Sequence, residues 1–378
     1  MPIRELSVAG YRSIREMRLK LGAVNVLTGP NGCGKSNLYN AVLLLARAAT
    51  GGFARALAEE GGMPSVLWAG GRKRLRSKPE PVRVILSVTL DVFGYRLECG
   101  LPHCGPPTER PSSFRFDPEV KEEAVWLADP TARPTVLMDR KGPSASIRDV
   151  GGRMTSYPLA LYSSESVLAQ IQEPHLYPEL SSLRDQMRGW RFYHHFRTDP
   201  GSPMRHPQTG VLTPVLAHDG ADMAAAIQTI VEIGDAEGLR EAVDRAFPGA
   251  RLEIEADAAR FRVLMHMPGV LRPFEAAEFS DGTLRYLCLL AALLSPRPPA
   301  LLALNEPETS IHPDLLAPLA ELIARAARRS QLWITTHSRD LAAGIERFSG
   351  QPPVRLRLSN GETIIEQESD RHGTRAAG

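Results

Sequence analysis

The chain has 378 residues, a formal net charge of +2, 43% hydrophobic residues and 23% charged residues. That balance fits a globular protein of two or three lobes and excludes a polycation, so any nucleic-acid binding must come from local patches. The longest apolar run, Tyr286 to Leu294, is too short to span a bilayer, the Met1–Glu5 start lacks a signal-peptide core, and four cysteines make no disulfide framework, so a cytoplasmic protein with no membrane partner is expected.

Residues 3–9 and 23–28 read as short strands around Gly10-Tyr11-Arg12-Ser13-Ile14, and residues 38–59 as an Ala-rich helix. Between the second strand and the helix lies Gly29-Pro30-Asn31-Gly32-Cys33-Gly34-Lys35-Ser36, which fits G-x-x-x-x-G-K-[ST]. The glycines let successive backbone N–H groups turn inward around a phosphate, and the helix N-terminus adds partial positive charge. Lys35 can reach the outer phosphates and the Ser36 hydroxyl can ligate Mg²⁺. Cys33 is expected to pack rather than react.

A basic run, Arg72-Lys73-Arg74-Leu75-Arg76-Ser77-Lys78, carries five cations in seven residues. From residue 81 into the nineties an alternating Val/Ile/Leu pattern predicts a strand, with Phe93-Gly94-Tyr95 as a turn into a partner strand over 96–100. Residues 101–113 read as loop, followed by short strands to about 160. Cys99, His103 and Cys104 are a partial metal pattern that no second cluster completes. Residues 162–190 read as helical, on Leu168, Ile171, Leu176, Leu180 and Leu183, and so do residues 220–246. Segments 251–255 and 260–267 read as a strand pair. After Ser280 come a helix to Leu294, a strand over 300–304, a helix over 313–329 and a strand over 331–335. The tail 366–378 is polar and expected to be disordered. No internal repeat and no sustained heptad pattern is present.

Three further segments can carry chemistry. The apolar strand Leu301–Leu304 runs into Asn305-Glu306-Pro307-Glu308-Thr309-Ser310-Ile311-His312-Pro313, and the C-terminal edge of such a strand is where α/β sheets place ligands. Taken alone it reads equally well as a charged turn. The strand Leu332–Ile334 ends in Thr335-Thr336-His337-Ser338, and Phe279-Ser280-Asp281-Gly282-Thr283 opens a helix, with Ser280 as its cap.

In this order the segments resemble the ATPase heads of the ABC type, specifically the SMC/RecF-like branch, and the acidic-to-His-Pro run is similar to that of small RecF/OLD-like AAA-family ATPases without a coiled coil. The specific motifs cover about residues 1–45 and 275–340. The resemblance implies an α/β P-loop NTPase fold with an ABC-ATPase-like mixed sheet, an antiparallel β subdomain and a helical lobe. It divides the chain into an N-terminal lobe (1–165), a helical insertion (166–275), a segment completing the ATPase core (276–345) and a C-terminal strand and tail (346–378). It also implies that ATP and Mg²⁺ bind at Asn31, Gly32, Cys33, Gly34, Lys35, Ser36 and Asn37, with Arg12 nearby. Glu306 would be the general base, His337 the γ-phosphate sensor, and Gln170 (or the adjacent Gln172) the glutamine-loop residue. Ser36, Gln170 and Asn305 would serve the metal. Ser280 and Gly282 would contact ATP held by a second copy, giving an ATP-sandwiched homodimer.

Two positions depart from the family pattern. Asn305 stands where Asp is usual, which predicts weaker Mg²⁺ binding and slow turnover, and the signature is Phe-Ser-Asp-Gly-Thr instead of Leu-Ser-Gly-Gly-Gln. The target of the ATPase stays open between double-stranded DNA, in repair, maintenance or phage defence, and an effector protein signalled to by a nucleotide-switched subunit. The first reading rests on run 72–78 and on Arg184, Arg188, Arg191, His194, His195 and Arg197 interleaved with Trp190, Phe192, Tyr193 and Phe196, where cations would meet phosphates and rings would stack on bases. The same two clusters read at least as well as a solvated loop and a helix whose aromatics are core. The second rests on the roughly forty residues after His337, too few for another catalytic domain. The missing heptads argue against a long-armed SMC protein. The Arg12 turn, the Phe-Ser-Asp-Gly signature and the roughly 110 residues between Gln170 and the signature argue against a transporter ATPase, and a P-loop kinase of another class would not explain Ser280 and His337 together.

Overall fold

The computed structural model describes residues 2–71, 74–75, 78–79, 83–102, 112–128 and 133–366. The side chains of run 72–78, the His103 and Cys104 positions of the metal pattern, and the tail beyond 366 lie outside the described residues. Two compact units emerge, each discontinuous in sequence. One comprises Met1–Gly22, Gly29–Trp190 and Arg355–Gly378, the other Ala23–Thr28 and Arg191–Val354.

The first unit is built on an antiparallel sheet in the order Met154–Ser156, Ser144–Arg148, Thr135–Lys141, Glu119–Leu127, Phe93–Gly100, Val84–Leu90, Ile3–Tyr11, Ile14–Lys20. The alternation read in the sequence is the cause: Val84, Leu86, Val88 and Leu90 are buried while the residues between them are partly exposed. The turn of this hairpin falls at Asp91-Val92, earlier than expected, because Phe93 and Tyr95 both point into the core. Gly94 is a strand residue facing Trp126; a Cβ there would stand 1.9 Å from the indole. The helix expected over 38–59 is two helices, Lys35–Ala48 and Phe53–Glu59, broken where Gly51 turns left-handed at φ 77°. The continuous helix expected over 162–190 is likewise interrupted. Val167–Gln170 forms one short helix and Pro178–Arg188 another, since Pro174 cannot continue the first and Pro178 starts the second.

The second unit holds four parallel strands in the order Arg191–Tyr193, Leu301–Asn305, Gln331–Thr336, Val24–Thr28. The last three are buried along nearly their whole length, as parallel strands covered on both faces are. Leu302, Leu304, Leu332, Ile334, Val24 and Val26 pack in one core with Leu284, Leu287, Leu290, Leu319, Ile323, Leu341 and Ile345 from the helices Asp281–Leu293, Leu316–Ala326 and Arg339–Ser349. The predicted pair Arg251–Asp257 and Arg260–His266 is an antiparallel hairpin in perfect register, extended by Gln208–Thr209 and Phe274–Glu275.

Candidate nucleotide site

In the first unit the loop over residues 29–36 leads straight into the helix Lys35–Ala48. Three of its glycines are forced. Gly29 lies at φ 151° with the Leu356 carbonyl oxygen 2.3 Å from a would-be Cβ, Gly34 lies at φ 100° with Thr363 Oγ1 at 2.2 Å, and Gly32 lies at φ 76°. A side chain at 29 or 34 would push out the neighbour that holds the loop. Lys35 is buried, and its ammonium donates to the carbonyls of Gly29 (2.7 Å) and Pro30 (3.1 Å), so the charge sits within the loop's own curve. Asn31, Gly32 and Ser36 are exposed, and Cys33 is buried against Gly29. Asn37 donates to Ser13 Oγ at 2.8 Å, and Ser13 Oγ pairs with Thr363 Oγ1 at 2.7 Å, which fastens the helix start to two distant segments. Arg12, at φ 48°, is turned away into an ion pair with Glu60 (2.8 Å), whose carboxylate also accepts from Tyr11 at 2.6 Å.

In the second unit the C-terminal ends of the parallel strands gather acids and imidazoles. Asn305 Oδ1 accepts from Thr335 Oγ1 at 2.7 Å, and the Glu306 N–H donates to the Thr335 carbonyl at 2.8 Å. Glu306 (φ 46°) and Ser310 (φ 63°) both take the left-handed conformation, which costs a non-glycine residue about 1–3 kcal/mol and gathers at functional turns. His337 Nδ1 stands 3.8 Å from Glu306 Oε1 and 3.3 Å from Glu308 Oε1. The parallel register pairs Tyr193 with Leu304, so His194 and His195 emerge beside the acidic turn. Partial desolvation lowers the His194 pKa, His195 adds to this, and the Glu306 carboxylate opposes it. Buried Arg285 spans from His195 Nδ1 (3.0 Å) to the Thr309 carbonyl (2.7 Å); its burial lowers its pKa, and the carboxylates of Asp281 and Glu308 oppose that.

The signature segment starts the helix Asp281–Leu293. Ser280 caps it, accepting from the Thr283 N–H at 3.1 Å, while Arg205 holds the entry through Phe279 O (2.7 Å) and Asp281 (2.7 Å). Gly282 is required by contact: a Cβ would lie 2.4 Å from the Ser310 carbonyl. Ser280 and Gly282 line an open cleft of about 740 Å³ with Ser310, Ile311 and His312.

Gln170 is placed differently from the expectation. Its Nε2 donates to the carbonyls of Tyr162 (3.1 Å) and Glu165 (3.0 Å), and its Oε1 accepts from the Tyr162 N–H (2.7 Å), all within the first unit. Gln172 Nε2 donates to the Ala169 carbonyl at 3.0 Å. Of the two readings of the aromatic cluster the structure takes the core one: Trp190, Phe192, Tyr193 and Phe196 are all buried, so none presents a face to a base. Among the described residues no group of three or more His, Cys, Asp or Glu is arranged to hold a metal ion, and no helix is long and apolar enough to cross a membrane. Sequence reasoning missed Glu308, Ser13, Thr363 and Arg285. Only the Glu-Pro-Glu spacing offered a signal, for Glu308.

A family described as "AAA domain, putative AbiEii toxin, Type IV TA system" matches residues 24–98 and 153–342, more than half of the chain. The chain belongs to this family. No curated protein matches it. Among solved structures, this AAA domain is similar to an Smc head bound to the C-winged helix domain of ScpA (TM-score 0.52, 14% identity, 97% of this chain and 98% of that one). It is also similar to an Smc head domain with an extended coiled coil bound to the C-terminal domain of ScpA derived from Pyrococcus furiosus (TM-score 0.50, 12% identity, 97% and 96%). The AAA domain therefore has the fold of an ABC/SMC-like ATPase head, as its motif order implies.

Proposed function

We propose that this AAA domain binds ATP, hydrolyses it slowly and dimerises around it. The observation that supports this most is the acidic turn and histidine at one sheet edge: Glu306 follows a buried parallel strand, His337 follows the next, and the two side chains face each other. The strand Val24–Thr28, fourth in that parallel order, runs in sequence straight into the phosphate loop. Glu306 would take the proton of the attacking water, and Lys35 would bind the phosphates. The loop fits a phosphate, because glycines stand where a Cβ has no room and a buried ammonium lies inside the turn. Mg²⁺, when bound, would neutralise phosphate charge. Ser36 and Asn305 are the residues offered to it, whereas Gln170 would have to give up three hydrogen bonds to take part. With an amide at 305 in place of a carboxylate, a weaker metal site and slow turnover follow.

Exposed Ser280 and half-buried Gly282, at a helix N-terminus beside an open cleft, are offered to the ATP of a second copy. Glu306→Gln is then expected to lower kcat by about 10²–10⁴-fold and to elute as a dimer in ATP·Mg²⁺ during size-exclusion chromatography. Undiminished turnover removes Glu306 as the base, and a monomer under every condition removes the sandwich.

For the output, burial of the aromatic cluster favours a nucleotide-switched subunit that signals to a partner protein; the similar Smc heads are themselves bound to ScpA domains. Action on duplex DNA, in repair, maintenance or phage defence, is the second reading. It keeps the cationic run 72–78 as its support.

A further inference from the structure

We propose that Glu308 is a positioning residue of the hydrolytic site, holding the His337 ring so that Nε2 faces outward; this rests on the ATPase reading above. Glu308 is not on the face that a base would use. Its side chain is 6% exposed, and Oε1 accepts from Thr336 Oγ1 (2.6 Å), the His337 N–H (3.0 Å) and the Ser338 N–H (3.1 Å). The same oxygen lies 3.3 Å from His337 Nδ1. An ionised carboxylate can only accept, so the ring atom facing it is the one that carries the hydrogen. With Nδ1–H turned inward, Nε2 is left for the open side of a ring that is 51% exposed.

The carboxylate is delivered by a rigid turn. Thr309 N–H bonds back to Glu306 O (3.1 Å), Ile311 N–H bonds to Glu308 O (3.0 Å), Arg285 grips the Thr309 carbonyl, and Gly282 packs on the Ser310 carbonyl. Glu308 Oε2 is buried without a hydrogen-bond partner. Buried unpaired oxygens cost stability and are rare, so retaining a full carboxylate here calls for a reason beyond capping a helix. Ser338 already caps the helix Arg339–Ser349 through its own hydroxyl. A negative charge that keeps the Nδ1 hydrogen in place supplies that reason.

The test uses the full chain with ¹⁵N-labelled histidine, the His337 signals being assigned by their loss in His337→Asn. Wild-type protein is expected to show the Nδ1–H pattern. Glu308→Gln keeps an acceptor for the three donors but removes the charge, and is expected to shift His337 toward Nε2–H. In ATP hydrolysis, Glu308→Gln should lower kcat about 10- to 100-fold with KM little changed, as loss of a partner that orients a functional histidine does. Added to His337→Ala it should lower kcat no further. An Nε2–H ring in the wild type overturns the proposal. So does a Glu308→Gln loss that is as large in the His337→Ala background as in the wild type, or a variant that changes only thermal stability. If the wild type hydrolyses no ATP, the ATPase reading fails, and the ring's tautomer still decides the role of Glu308.

Discussion

Gly34 condenses the logic of the phosphate loop into one atom. At φ 100°, with Thr363 Oγ1 2.2 Å from a would-be Cβ, it can be nothing larger unless the Glu362–Ile365 strand moves. Gly34→Ala is expected to weaken ATP binding about 10- to 100-fold, the equivalent of the 1–3 kcal/mol of strain such a position stores, while the far-UV spectrum stays unchanged; calorimetric titration with ATP reads the loss. The sequence made this glycine legible, because the P-loop pattern encodes backbone conformation directly. It was silent on Thr363, whose contact with the loop comes from more than three hundred residues away. At the acidic turn the pattern was legible for Glu306 but divided poorly between its two glutamates. One of these side chains is partly exposed and the other buried, a difference that spacing does not encode.

Among the elements, the segment 162–170 shows a glutamine with structural employment. Glu123 and Arg140, both fully buried on neighbouring strands, form an ion pair at 3.3 Å. Arg140 also donates to the carbonyls of Glu165 (2.6 Å) and Tyr162 (2.8 Å), and Glu123 accepts from Tyr95, Ser166 and the Val167 N–H. Gln170 binds the same two carbonyls, so it helps pin this segment to the antiparallel sheet. Glu123→Ala should cost about 3–5 kcal/mol in denaturant unfolding, because it strands a buried guanidinium. Gln170→Ala should cost about 1 kcal/mol and leave kcat unchanged; a large fall in kcat at unaltered stability would restore Gln170 to the catalytic set. The sequence pattern sets Gln170 in one continuous helix over 162–190, whereas the structure ends a short helix at Gln170 and leaves Leu176 exposed. Pro174 and Pro178 signal that break locally; what the sequence could not register was that the amide's partners are main-chain atoms a few residues earlier.

For the whole molecule, the choice between DNA and a protein partner turns on charge and burial together. If duplex DNA engages all five cations of residues 72–78, log affinity should fall against log salt with a slope of about −4 to −5, read by fluorescence anisotropy. Phe192→Ala should leave any such affinity unchanged and instead cost about 3–5 kcal/mol of folding stability, as removal of a buried ring does. A selective loss of single-strand affinity in that variant would reinstate stacking.

The sequence alone determined the phosphate loop, the order of signature, acidic turn and histidine, and the alternation of the antiparallel strands. These are local properties: glycine's access to left-handed backbone, the two-residue period of a strand and the cap at a helix start are written within a few residues. Tertiary structure alone decided that the strand Val24–Thr28 belongs with residues 191–354, that the aromatics beside the arginines are core, and that Glu308 grips the loop bearing His337. Each depends on segments brought together by parallel pairing or burial across long stretches of chain. Such pairing is set by the competition of whole surfaces for the core, which no single stretch of residues records.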